Sequence, residues 1–280
     1  MRTLATALTL IIATGCTSDT HSHGVEGDHT HASLPSALIS VTGDQRCITS
    51  NGIPGHETGP WREGAVVLPQ EHNFCVDATP EITGAITRNA RISGITVTGI
   101  PLRPGTAEYY DASADKGYSR DTSSGWNVEG IGGLIMDAQN AHVDGAGYYH
   151  YHGIPSAVVG SLESTLFGYA ADGFEIHYVG DRAQSSWQLK TGERESGPGG
   201  EYDGTYVQDY QFVSGSGTLD ECNGGLLDGR FVYYATDAFP FFPRCFKGSV
   251  SDDFIGGRGD RPQQGEGAPS DERPPRPERG

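Results

Sequence analysis

Glycine interrupts this chain so often that long helices have little room to form: 41 of 280 residues are glycine, about twice the usual share. Thirteen tyrosines and ten phenylalanines argue against a disordered chain, because aromatic surface of that amount drives burial. Short aromatic-rich strands joined by many turns satisfy both facts. The candidate strands are AVVL at 65–68, NARISGITVTGI at 89–100, YYHYH at 148–152, FEIHYV at 174–179, TYVQDYQFV at 205–213 and RFVYY at 230–234. In 205–213 the alternation puts Tyr206, Gln208, Tyr210 and Phe212 on one side and Val207 and Val213 on the other, the pattern of a half-buried strand. One short helix is expected, over TAEYYDASADK at 106–116. The fold class is therefore mainly β: a single β-rich domain with long Gly-rich loops.

The two ends read differently from this middle. Residues 1–15, MRTLATALTLIIATG, combine one early charge, Arg2, with an apolar run from Leu4 to Ala13 and small residues before Cys16. That is the form of a secretory signal, too short for a membrane-spanning helix. The A-T-G-C string resembles the lipobox of bacterial lipoproteins, which implies acylation of Cys16 and anchoring at the cell envelope, on the outer membrane or on a periplasmic or extracellular face. Residues 16–39 read as a His-rich flexible tether. From Ser249 to Gly280 the chain is rich in Pro, Gly and alternating charge and is expected to be a disordered tail. Its Arg258-Gly259-Asp260 tripeptide is read as coincidence. The folded domain is accordingly expected over 40–248.

A formal net charge of −17, made more negative by one if Arg2 is removed with the signal, repels nucleic acid and anionic headgroups and attracts metal cations. The membrane is thus a partner through the lipid anchor only. Beyond Cys16 the cysteines are Cys47, Cys75, Cys222 and Cys245, an even number in an exported chain, so two disulfides are expected. Of the three pairings, Cys47 with Cys75 and Cys222 with Cys245 closes the shorter loops.

The chemistry-bearing stretch is QNAHVDGAGYYHYHG, residues 139–153. In an extended strand, residues two apart share a face. His150 and His152 therefore project together, with Tyr149 and Tyr151 on the other side. Two imidazoles hold a metal weakly, and a third ligand is needed. His142 is the nearest candidate, because a turn over Asp144–Gly147 can fold it back; His56 and His177 are further candidates. Imidazole ligands suit Cu(II) or Zn. A thioether-rich Cu(I) site is excluded, since Met136 is the only methionine after Met1. The tether carries two more H-x-H pairs, His21 with His23 and His29 with His31, able to collect metal loosely. The competing readings are a structural or adhesive surface module in which the histidines are core residues, and a metal-assisted hydrolase in which Glu108 or Asp172 does acid-base work. The acidic turns around Asp172 and around Asp220, Glu221 and Asn223 lack the order of a calcium-binding loop and are read as turn formers. Nucleophile elbow, phosphate loop, dinucleotide fingerprint and H-E-x-x-H are all absent from the sequence.

Several longer strings occur in a fixed order: SNGIPGH (50–56), GIPLRPGTAEYY (99–110), DAQNAHVDGAGYYHYHGIP (137–155), GYAADGFEI (168–176), GPGGEYDGTYVQDYQFV (197–213), LDECNGG (219–225) and ATDAFPFFPRCFKG (235–248). With these the chain resembles the bacterial YHYH-domain proteins, named for the motif at Tyr149 to His152. The resemblance implies a secreted or lipid-anchored bacterial protein and assigns it no reaction. Two departures stand out. RFVYYATD keeps Tyr233 and Tyr234 where many members add a histidine, and His177 stands where the family commonly has tyrosine.

Overall fold

Cys47 and Cys75 face each other across two antiparallel strands, and the disulfide between them fixes the register of the first sheet. In this computed structural model, which describes residues 34–256 apart from Glu63, that sheet comprises β1 (Ala37–Thr42), β2 (Gln45–Ser50) and β3 (His72–Asp77), in that order. Ile48 pairs with Phe74, and both are fully buried. The remaining strands are β4 (Gly94–Thr96), β5 (Pro101–Leu102), β6 (Tyr109–Tyr110), β7 (Tyr118–Ser119), β8 (Ala141–Val143), β9 (Tyr149–Tyr151), β10 (Leu166–Ala170), β11 (Glu175–Tyr178), β12 (Trp187–Leu189), β13 (Tyr210–Phe212), β14 (Gly224–Leu227) and β15 (Arg230–Ala235). Three one-turn helices accompany them: α1 (Gly130–Gly133), α2 (Ser156–Val159) and α3 (Asp252–Ile255). The fold is mainly β, as the turn density and aromatic runs require.

An eight-stranded mixed sheet in the order β14-β15-β11-β10-β4-β5-β9-β8 is the centre of the fold. Its pairs β5 with β9 and β11 with β15 are parallel, the others antiparallel. Parallel strands are normally covered on both faces, and the pair β5 and β9 obeys: all of both strands is buried. The core against them is aromatic, with Phe74 on Phe254 and Phe167 stacked on Phe242. The second disulfide, Cys222–Cys245, ties the loop before β14 to the segment after β15. The within-end pairing thus holds for both bridges.

Several local expectations are corrected. Residues 106–116 are not helical: β6 and β7 form a hairpin around an Asx turn, in which Asp111 accepts from Ser113 N at 2.9 Å and Gly117 sits at φ +74°. AVVL at 65–68 joins no ladder and is tied to the turn of the β8–β9 hairpin by a bond from Leu68 N to Gly147 O. In 205–213 the alternation breaks, because the Asp209 carboxylate accepts from Gly204 N and Tyr206 N and pulls Val207–Asp209 into a 3-10 turn, leaving only Tyr210–Phe212 as strand. Within 89–100 only Gly94–Thr96 is strand.

The folded part also reaches beyond 40–248 at both ends. β1 begins at Ala37, and α3 docks Phe254 into the core with no exposure while its other large apolar side chain, Ile255, stays exposed. Ser251 caps α3, Asp253 accepts from Cys75 N at 2.9 Å, and the Phe254 carbonyl accepts from Arg91 N and Ile92 N. A charged SDDFIGG string hides this because one phenylalanine sets no periodicity. Residues 1–33 and 257–280, with Cys16, the four tether histidines and the Arg258-Gly259-Asp260 tripeptide, lie outside the described residues. Replacing Phe254 with alanine should destabilise the chain by about 3–5 kcal/mol, the cost of emptying a fully buried phenylalanine site, and ending the chain at residue 248 should cost at least as much; urea melts of the two variants measure both.

Candidate metal centre

The three histidines are brought together by one hairpin. Asp144 opens its turn: Oδ1 accepts from Ala146 N at 2.9 Å and from Tyr148 N at 3.2 Å. Gly147 closes it at φ +74°, where a Cβ would also strike the Leu68 side chain. The resulting register sets His142 directly opposite His150, with His152 on the diagonal, within reach of a long side chain. His152 N donates to Asn140 O at 2.8 Å, which continues the ladder past the end of β9.

At the centre, His142 Nε2 lies 3.1 Å from His150 Nε2 and 3.2 Å from His152 Nε2. A tetrahedral ion with metal–nitrogen bonds of about 2.0–2.1 Å places its ligand nitrogens about 3.3 Å apart. Among the described residues, this is the group of His, Cys, Asp or Glu side chains whose donor atoms converge closely enough to hold a metal ion.

Proton accounting supports the fit. His150 Nδ1 lies 3.0 Å from the Tyr148 carbonyl, which can only accept, so Nδ1 carries the hydrogen and Nε2 is a bare lone pair. The Pro104 carbonyl faces His152 and favours its charged form, although Nδ1 makes no hydrogen bond of good geometry. His142 Nε2 has one hydrogen at most and two nitrogen neighbours to satisfy. Three ring nitrogens therefore meet around at most one well-placed proton, an arrangement that a divalent cation completes. A backbone carbonyl behind the ligand imidazole, as at His150, is the usual outer support of such a site.

Burial keeps these rings neutral. His150 and His152 are 3% and 1% exposed, and desolvation, reinforced by Arg103 and by the other histidines, holds both pKa values well below the ordinary 6.5. His142, half-buried, is lowered by the same desolvation and by Arg103 and Arg62, against the opposing pull of Glu108 and Asp144. Behind His152 there is no spare volume: a Cβ on Gly130 would lie 2.2 Å from its Nδ1. Gly130 opens α1, and the preceding Glu129 is itself buried, pushed up by desolvation and held by Arg244 at 2.8 Å. Arg244 also donates to the Pro104 carbonyl, at 3.2 Å.

The opposite face of β9 is a separate network. Tyr149 Oη donates to Asp137 Oδ2 at 2.9 Å, and Asp137 Oδ1 accepts from Gln139 N and Ala141 N. His56 meets Tyr151 Oη at 2.6 Å on this face, and is thereby kept from the other three histidines. His177 lies on β11, with three strands between it and β9, about 19 Å at the usual strand spacing; it bonds Thr165 Oγ1 and Glu175. Glu108 is felt electrostatically by His142 but its carboxylate accepts from Ala107 N, outside the converging set. Asp172 is remote in another sense: it is buried with Tyr233 and Gly248 N as partners. Asp220 accepts from Cys222 N and Gly224 N, as a turn former does. The sequence pattern does not point to Gly130, Arg103, Asp137 or the Pro104 and Tyr148 carbonyls; none of these sits in a spacing that announces its role.

A family model described as "YHYH protein" matches residues 73–248. The chain belongs to the YHYH protein family. The histidine hairpin and β5, the strand that flanks it in the central sheet, fall inside the matched segment. No curated protein and no solved structure matches the chain.

The depressed imidazole pKa values set the pH response of the metal-free chain. An unfolded chain takes up protons near 6.5 while the folded histidines remain neutral, so folding stability is full above that value and is lost as pH falls below it. Urea midpoints measured from about pH 8 to about pH 5 should drop across the lower half of that range, and less steeply once His150 and His152 are both replaced by glutamine. A flat wild-type profile would contradict buried, neutral imidazoles.

Proposed function

We propose that this YHYH-family chain is an exported, lipid-anchored protein of the cell envelope that binds one Zn or Cu(II) ion through Nε2 of His142, His150 and His152. The observation that carries this reading is the convergence of three neutral imidazole nitrogens, two of them on buried rings and the third, of His142, on a half-buried one, with His142 Nε2 3.1 and 3.2 Å from the other two. Imidazole donors suit both ions, and among the described residues no free thiolate stands with them. Two disulfides accord with an oxidising compartment. The signal-like residues 1–15 and Cys16 support export and anchoring, and among the described residues no helix is long and apolar enough to cross a membrane. His21, His23, His29 and His31 would act as a loose collector that raises the local metal concentration near the tighter site.

Tag-free protein should carry about one Zn or Cu per chain by elemental analysis, in keeping with a single three-ligand site. His150→Ala and His152→Ala should each remove the hairpin-bound ion, while a variant lacking the four tether histidines keeps it. Protein that remains metal-free after exposure to both ions, with unchanged melting temperature, refutes the reading.

Three protein ligands rather than four is also the arrangement of catalytic zinc, in which water or substrate takes the remaining position. This favours metal-assisted hydrolysis as the second reading. It requires turnover of an extracellular ester or amide that disappears in His150→Ala and returns with no other change when the histidine is restored.

A further inference from the structure

Arg103 is out of place beside a site for cations. It follows β5, and its backbone N–H donates to Tyr151 O at 2.9 Å, which fixes it alongside the ligand-bearing strand. Its side chain is 12% exposed and lies over the Tyr148 ring at 5.5 Å. Tyr148 is in turn in ring contact with His150, at 6.0 Å. The guanidinium therefore sits at the turn end of the hairpin, next to His142 and His150, and all three histidines feel its charge.

A guanidinium has five N–H donors. Among the described residues, this one makes a single side-chain hydrogen bond, from Nη1 to Asp144 Oδ2 at 3.4 Å, longer than a charge-assisted bond should be. Asp144 is committed elsewhere, because its other oxygen holds the turn. Around His142, Glu108 and Asp144 offset Arg103 and Arg62, but the charged side chains outside the cluster that act on the two buried rings are arginines, Arg103 on His150 and Arg103 with Arg244 on His152. A divalent ion on three neutral imidazoles adds two positive charges beside this cation. Repulsion of that kind opposes metal binding unless an anion lies between the two.

We propose that the fourth ligand position takes an oxyanion, a carboxylate or phosphoryl group, which coordinates the metal with one oxygen and accepts hydrogen bonds from the Arg103 guanidinium with another. This rests on the three-histidine metal reading and names the ligand class of that site. The guanidinium fork matches two oxygens of such a group, which a lysine ammonium cannot do. No covalent step is involved: the anion displaces metal-bound water.

The test uses the full chain loaded with Co(II), whose visible absorption reports its coordination, titrated at constant ionic strength with acetate and, separately, with inorganic phosphate. The Co(II) bands should change saturably with at least one of the two, and which one responds tells a carboxylate site from a phosphoryl site. R103Q should bind Co(II) as tightly as wild type or more tightly, and its anion affinity should fall about tenfold or more, the loss of a charge-assisted pair. R103K should fall between. Bands that form normally but move with neither anion overturn the proposal and leave the metal reading intact. Anion affinity of R103Q within about twofold of wild type, with a lowered melting temperature, also overturns it and makes Arg103 a prop for the hairpin. Should R103Q fail to fold, anion affinity in R103K equal to that of wild type overturns it in the same way. No Co(II) band in the wild-type chain removes the metal reading and this proposal together.

Discussion

The register of β8 against β9 is the constraint on which the rest of the site depends. With a period of two, a slip of one residue would turn His142 to the side of Asp137 and the tyrosines and break the nitrogen cluster. Two aspartates prevent it. Asp144 sets the turn at one end of the hairpin, and Asp137 fixes the other by holding Ala141 N and the Tyr149 hydroxyl together. A parallel partner, β5, then locks β9 from its far side. Each face of β9 consequently has a distinct chemistry, imidazole nitrogens on one and hydroxyl–carboxylate bonds on the other.

Burial gives that geometry its chemical meaning. Were the three rings solvated, the same spacing would describe a titrating surface cluster that protonates and disperses below neutrality. Inside the sheet, desolvation removes the charged form, and the lone pairs are left facing one another. The surroundings are charged as well as dry: Arg244 links the buried Glu129 to the Pro104 carbonyl behind His152, and Arg103 approaches from the turn. The whole chain is acidic, while arginines stand beside both buried imidazoles, so the charge close to the cluster differs from that of the chain at large.

Much of this is legible in the chain. Glycine frequency and aromatic runs indicate a β fold with many turns, the four cysteines indicate two short-range bridges, and the H-x-H spacing indicates a shared face. The ordered strings from SNGIPGH to ATDAFPFFPRCFKG indicate the family. The features that sequence does not reveal depend on contacts distant along the chain. The segment 106–116 has helical-looking composition, yet Asp111 and Gly117 bend it into a hairpin. Asp209 breaks an apparently alternating strand because its carboxylate collects backbone amides and Arg194. Phe254 is a core residue in a charged string, visible only once the sheet it fills is known. Gly130 opens a one-turn helix and Arg103 follows β5, and the composition of neither segment speaks of the histidines these residues touch or face.

The strand that carries His142 is the last in its sheet, and an exposed last strand invites pairing with another chain. Here the outward groups of Ala141 are already taken: its carbonyl accepts from Asp137 N and from Trp61 Nε1, and its N–H donates to the Asp137 carboxylate. A neighbouring copy finds no open ladder at that residue. The end of the strand that leads into His142 is therefore closed to edge pairing by contacts made within the chain itself.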